Sequence, residues 1–362
     1  MSESREETEF AAEESAAAPQ QTDATAADQP GVDGVLPGEL PPVKAPSAGF
    51  LVQLFLIPMI IVSIIVMVWV LFSWIAHMGT DPRDLVRDLR SLNKASWQKA
   101  FTLSDLLRDP SHSELKRDEK LAQELADVLD AELQAGSMEP SRIRLRVFLC
   151  KCLGEFELTV GLPQLLEAAR LERSSEEVDV RYAAFESLAV LAENVGAEKM
   201  QQAEVMNLLA ETCREYSEET TQRNTKGELR SVAVFTLGVI GGDEALELLH
   251  QMLGDPHPNA RYNAALGMAR HGDLRCGDVL MTMLTPDNPD VVQGEESVTE
   301  KEAKRLRVIV NAIRAVGLLS EYHRGDRLKV LHDQLRKLST SDLPSSVRLE
   351  AKEALTSRSP RD

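Results

Sequence analysis

The sequence predicts an all-α fold: a right-handed α-solenoid of stacked helical hairpins, preceded by a disordered tail and one transmembrane helix. Three observations carry that prediction. A charge-free apolar run extends from Phe50 to Ala76. A short Arg–small–Leu–small pattern returns along the rest of the chain at spacings of 50, 35, 49, 31, 48 and 39 residues. Aromatic residues make up only 4% of a chain rich in Leu and Ala, a balance that suits packed helices better than β-sheets.

Residues 1–49 hold ten acids against Arg5 and Lys44 and have few residues able to build a core, so they are expected to stay disordered. Pro37, Pro41, Pro42 and Pro46 stiffen the end of this tail. The segment 50–78 follows, and no charge interrupts the chain between Lys44 and Asp81. About 20 apolar residues suffice to cross a bilayer core of ~30 Å, so Phe50–Ala76 is long enough to span it with tilt. Gln53 is placed near the headgroups, Pro58 marks a candidate kink, and Trp69 and Trp74 are placed as interfacial anchors. Arg83, Arg87, Arg90, Lys94 and Lys99 follow the run, whereas Lys44 is the one nearby base before it. That asymmetry predicts insertion in the inner (cytoplasmic) membrane with the C-terminal domain in the cytoplasm.

Residues 79–94 open with Thr80 or Asp81 as a cap and Pro82 in the first turn. At helical periodicity Arg83, Arg87, Arg90 and Lys94 form one stripe, and Leu85, Val86, Leu89 and Leu92 share another face. Two readings stand for this segment: an interfacial helix drawn to anionic lipid, or a helix with an ordinary solvated face, since Asp84 and Asp88 dilute the stripe.

The repeats occupy residues 95–358, with 359–362 as a short tail. Clear copies begin at Arg146, Arg181, Arg230, Arg261 and Arg348, and weaker ones at Ser96 and Ile309. Small residues after each Arg let neighbouring helices approach, and the leucines fill the seam between successive hairpins. Gly241-Gly242-Asp243 and Asp255-Pro256-His257-Pro258 read as turns between units. Two polar stretches, 217–228 and 285–302, break the period and read as surface loops, either tolerated insertions or parts of a binding face.

These residues resemble HEAT repeats, close to the bacterial PBS-lyase-like type, most closely in Asp179–Leu191, Leu229–Gly241 and Asp255–Gly272. The resemblance implies that Asp179, Arg181, Arg230, Asp255 and Arg261 bond across neighbouring repeats. It specifies fold far more than function, since one scaffold hosts many roles.

A formal net charge of −18 argues against a nucleic-acid partner, because such affinity rests on cations that neutralise phosphates. The chain has no G-x-x-x-x-G-K-[ST], H-E-x-x-H or G-x-S-x-G motif. Deoxyhypusine hydroxylases, which are also built of HEAT repeats, bind iron through His-Glu pairs, and none of the seven histidines here is followed by Glu. Cys150 and Cys152 point about 200° apart on a helix and cannot chelate one metal together. Cys213 and Cys276 complete a set that reads as buried reduced thiols. The sequence therefore predicts no enzyme activity, catalytic residue, metal or cofactor. It predicts a membrane-anchored scaffold for an unidentified protein partner, held to the lipid bilayer through residues 50–76. The alternative is a PBS-lyase-like enzyme or chromophore-handling protein.

Overall fold

The computed structural model describes residues 47–77, 85, 86, 89, 95–292, 295–323 and 325–356. They contain helices and no strands, and the chain divides into two compact units, Met1–Met78 and Gly79–Asp362.

The first unit contains helix α1, Ala48–His77, with Pro58 inside it. Within it Val52–Ser73 is long and apolar enough to cross a membrane, and none of that stretch is buried. The side chains from Val52 to Phe72 are exposed all round, Trp69 included. A helix apolar on every side is at home in a core or a bilayer, not in water.

The second unit is a two-layered stack of helical hairpins. Its helices are α2 (Ser96–Arg108), α3 (Glu119–Ala135), α4 (Pro140–Gly154), α5 (Leu162–Ala169), α6 (Val178–Val195), α7 (Ala203–Cys213) and α8 (Thr220–Ile240). They continue as α9 (Asp243–Met252), α10 (Pro258–Arg270), α11 (Gly277–Met283), α12 (Val298–Tyr322), α13 (Lys329–Ser339) and α14 (Ser345–Thr356). Each even-numbered helix packs directly on the next, from α2 to α14, and the odd-numbered helices lie behind them. Hydrogen bonds cross the even layer: Thr236 Oγ1 on α8 donates to the Phe185 carbonyl on α6 at 2.9 Å.

Local sequence sets the helix ends. Asp118 caps α3 by accepting from the Leu121 amide at 3.0 Å, and Gly136 closes it at φ 59°. Pro140 and Pro258 occupy the first turns of α4 and α10, where a missing amide proton costs nothing. The Gly241–Gly242 turn uses φ values of 64° and 88°, which side chains disfavour. The even helices approach closely where their residues are small. A Cβ on Gly238 would fall 2.7 Å from the Gly267 Cα, so α8 and α10 meet backbone to backbone there.

Two sequence expectations change. The stretches 217–228 and 285–302 are not wholly loops. The first feeds the amino-terminal two turns of α8, and the end of the second starts α12. Ser297 and Glu300 form a reciprocal capping box, with the Ser297 Oγ accepting from the Glu300 amide at 3.1 Å. Helix-compatible polar residues without an interior proline extend a neighbouring helix instead of looping out. The juxtamembrane segment also resolves: Leu85, Val86 and Leu89 are buried in the hydrophobic core of the stack. These three side chains are packed into protein; Leu92, the fourth residue of that face, lies outside the described residues.

Candidate interaction surface

The recurring arginines build a ladder across the repeats. Arg146 on α4 donates through Nη1 to Glu177 Oε1 at 2.6 Å, and both side chains are 0% exposed. Arg181 on α6 binds the Glu215 carboxylate, with Nη1–Oε2 at 3.2 Å. Arg230 on α8 clamps Asp255 at 2.7 and 2.9 Å, and Arg261 on α10 reaches Asp290 at 3.3 Å. In each rung the acid sits in the loop that precedes the next even helix. Each arginine also holds a carbonyl that precedes its own helix: Ser137, Ala169 (the last residue of α5), Glu215 and Asp255 respectively, at 2.7 to 2.9 Å. One guanidinium thus ties two loops together, which uses its five donors in a fixed fork. The ladder ends at α12, where Ile309 holds the arginine position and is buried.

Of the residues expected to bond across repeats, Arg181, Arg230, Asp255 and Arg261 lie in this ladder. Asp179 does not: it is exposed in the first turn of α6, and Glu177, two residues earlier, is the buried acid of that rung. The helical turn carries Asp179 away from Arg146, while Glu177 sits in the short turn that leads into α6. Residues Arg83, Arg87, Arg90 and Lys94, together with the Trp74 side chain, lie outside the described residues.

With the loops tied, the even helices present a continuous face. Among the described residues of the stack, Phe101, Tyr182, Phe235, Val298, Leu318, Tyr322 and Leu349 are exposed large apolar side chains on even-numbered helices. On the odd-numbered helices only Val330 is. At the centre of this face Phe235, Val239, Leu266 and Leu318 floor a groove of about 240 Å³. Arg270 and Arg314 stand at its rim, paired with Glu193 at 3.3 Å and with Glu350. Exposed pairs of this kind contribute little and exchange partners readily.

A second feature lies at the amino-terminal ends of α8 and α10. The extended start of α8 forms a ridge between two clefts of about 350 and 400 Å³. Gln222, Thr225 and Lys226 face the first cleft, and Arg223, Asn224 and Glu228 face the second, opposite Glu295 and Lys304. Both period-breaking stretches therefore contribute to one cleft wall. Between them His257 Nε2 lies 3.4 Å from Glu228 Oε1, and the hydrogen bond to His257 holds the Glu228 carboxyl below the ordinary glutamate range. Gly227 lies directly against the His257 ring: a Cβ there would fall 2.5 Å from it and would displace the ring.

The histidines and cysteines are placed separately among the described residues. Among the described residues no three His, Cys, Asp or Glu side chains are grouped to hold a metal ion. All four cysteines are free and buried. Burial pushes the thiols of Cys150, Cys213 and Cys276 up to about 12 and raises Cys152 as well. His257 and His271 serve different partners: His257 lies 3.4 Å from Glu228 Oε1, and His271 contacts the Gly238 carbonyl at 3.0 Å.

Comparison with known proteins places HEAT-type repeats at the centre of this stack. Residues 218–298 match the family model for HEAT repeats, a stretch that contains the Arg230–Asp255 and Arg261–Asp290 rungs. No curated protein matches the chain. Among solved structures, a designed armadillo repeat protein is similar at 18% identity, covering 71% of this chain and 98% of its own, with a TM-score of 0.35. Human deoxyhypusine hydroxylase in complex with glycerol is similar at 16% identity, covering 74% of this chain and 98% of its own, with a TM-score of 0.26. The class is a repeat solenoid, and its particular repeats are HEAT-like over residues 218–298.

Proposed function

We propose that the protein is a single-pass membrane-anchored scaffold, with α1 in the bilayer and the even-helix face of the solenoid holding a protein partner on the cytoplasmic side. One observation carries the partner-binding part. The large apolar side chains that the solenoid leaves exposed gather on the even-numbered helices, where Phe235, Leu266 and Leu318 floor a groove. An apolar floor with a polar rim is the anatomy of a protein-binding patch. The anchor reading is supported by α1, whose apolar surface is left uncovered among the described residues. The basic residues that follow α1 support placing the solenoid in the cytoplasm.

The test combines fractionation with site-specific crosslinking. The chain is expected to stay in the membrane pellet through an alkaline carbonate wash. A photoreactive residue at Phe235 is expected to give a discrete protein adduct that the same residue at Glu244, exposed on α9, does not. Release by carbonate sinks the anchor. Identical adducts at both positions, or none at Phe235, sink the docking face.

A further inference from the structure

At the end of the stack nearest in sequence to α1, one small surface differs from the rest of the even-helix face. Trp97 and Phe101 on α2 lie beside Phe148 on α4. Trp97 stacks on Phe148 with ring centroids 6.2 Å apart and planes inclined by 21°, and Phe101 meets Phe148 edge-on at 5.3 Å. Two cations cover these rings: Arg144 lies 5.5 Å from the Trp97 centroid and Lys151 lies 6.0 Å from that of Phe148. Neither cation forms an ion pair among the described residues. Phe101 is 45% exposed, a large loss for an aromatic ring in water.

The position of this cluster in the chain narrows what it can meet. Leu85 is already part of the solenoid core, and seven residues, 78–84, separate it in sequence from the end of α1. One helix further along the face, α6 exposes Asp179 and Glu193, whereas α4 carries Arg142, Arg144, Arg146 and Lys151 and no acid. Aromatic rings with an apolar body, beside Arg and Lys with long apolar stems, match the headgroup layer of a bilayer.

We infer that the Trp97–Phe101–Phe148 cluster, with Arg144 and Lys151, docks the first hairpins of the solenoid on the anionic headgroup layer of the membrane that α1 crosses. The inference rests on the anchor reading above. It adds that the solenoid is held against the lipid surface and is not free on its tether. The rings enter the interfacial region, and the two cations meet phosphate and carboxylate groups of the lipid. In a chain of net charge −18, Arg144 and Lys151 are the groups of this cluster that such a surface attracts.

The experiment uses the full-length W69F/W74F chain, which keeps Trp97 as its one tryptophan. It is placed in nanodiscs of phosphatidylcholine and phosphatidylserine, with acyl chains brominated near the headgroups in one arm. Quenching of Trp97 emission by the brominated lipid is expected. Each base near an anionic surface shifts such an equilibrium by roughly fivefold, so R144Q/K151Q is expected to lower the docked-to-free ratio roughly thirtyfold and to restore emission. Far-UV circular dichroism of the variant checks that the helices remain. Incorporated chain whose Trp97 is not quenched overturns the docking while leaving the anchor intact. Equal quenching in pure phosphatidylcholine and in R144Q/K151Q also overturns it. Failure of the chain to enter nanodiscs overturns the anchor, and the docking with it.

Discussion

The Arg230 guanidinium grips both carboxylate oxygens of Asp255, Nε to Oδ2 at 2.7 Å and Nη2 to Oδ1 at 2.9 Å, and its Nη1 reaches the Glu215 carbonyl at 2.7 Å. The pair is almost wholly buried, with side chains 3% and 6% exposed. Removing one partner of such a pair leaves an uncompensated charge, which costs about 3–5 kcal/mol. Asp255→Ala is therefore expected to lower the midpoint of urea unfolding sharply. The double change R230M/D255L, which removes both charges, is expected to cost much less. A D255A midpoint equal to wild type would show that the rung contributes no stability.

The α8–α10 crossing depends on glycine at two facing positions. Gly238→Ala would put a Cβ 2.7 Å from the Gly267 Cα, and Gly267→Ala would put one 2.6 Å from the Gly238 Cα. Both neighbours are backbone, so the helices must separate; overpacking of this kind costs about 1–3 kcal/mol. Gly277→Ala meets nothing within 4 Å at the start of α11 and is expected to be neutral or slightly stabilising. Thermal unfolding of the three variants, followed by circular dichroism, checks the order.

The four thiols are expected to resist alkylation in the native state. All are buried, and burial holds the thiols of Cys150, Cys213 and Cys276 near 12, so the reactive thiolate is scarce at neutral pH. Mass spectrometry after N-ethylmaleimide treatment is expected to show little labelling in buffer and four adducts in urea. Rapid labelling of Cys213 in buffer would contradict the packing of α7.

The Glu228–His257 contact gives a pH signature. Glu228 has a folded-state value below its ordinary 4.5, chiefly through the hydrogen bond to His257. A depressed carboxylate contributes stability that is present above its unfolded value and is lost as pH falls through the folded one. Wild type is thus expected to be slightly more stable than Glu228→Gln at pH 7, and the gap is expected to shrink as pH falls from 4.5 and to close as pH passes the depressed folded-state value. The Glu228 side chain is half exposed, so solvent screening keeps the gap small. A gap that widens on acidification would reverse the assignment.

Much of the architecture is legible in the order of the residues. An Arg followed two to four positions later by a small residue marks α4, α6, α8, α10 and α14, because the periodicity of small and apolar residues is a local property of each helix. The ladder is legible in its arginines and only partly in its acids. Asp255 stands close before Arg261 and can be read. Glu177, Glu215 and Asp290 follow no constant spacing, and the pairs they close are 31, 34 and 29 residues apart. The loops before α6, α8 and α12 each hold several acids, so the order of residues offers candidates without choosing among them, and a fixed Asp-x-Arg spacing selects Asp179 instead.

By itself the sequence determined that one apolar segment, with no polar side, precedes a stack of helical hairpins. Both facts depend on hydrophobic run length and period, which no partner is needed to define. Only the tertiary structure decided that Leu85, Val86 and Leu89 face the protein core, that residues 220–228 extend α8, and which carboxylate each arginine holds. Each of those outcomes depends on what lies opposite a given face once the chain has turned back, and that is set by the packing of distant helices.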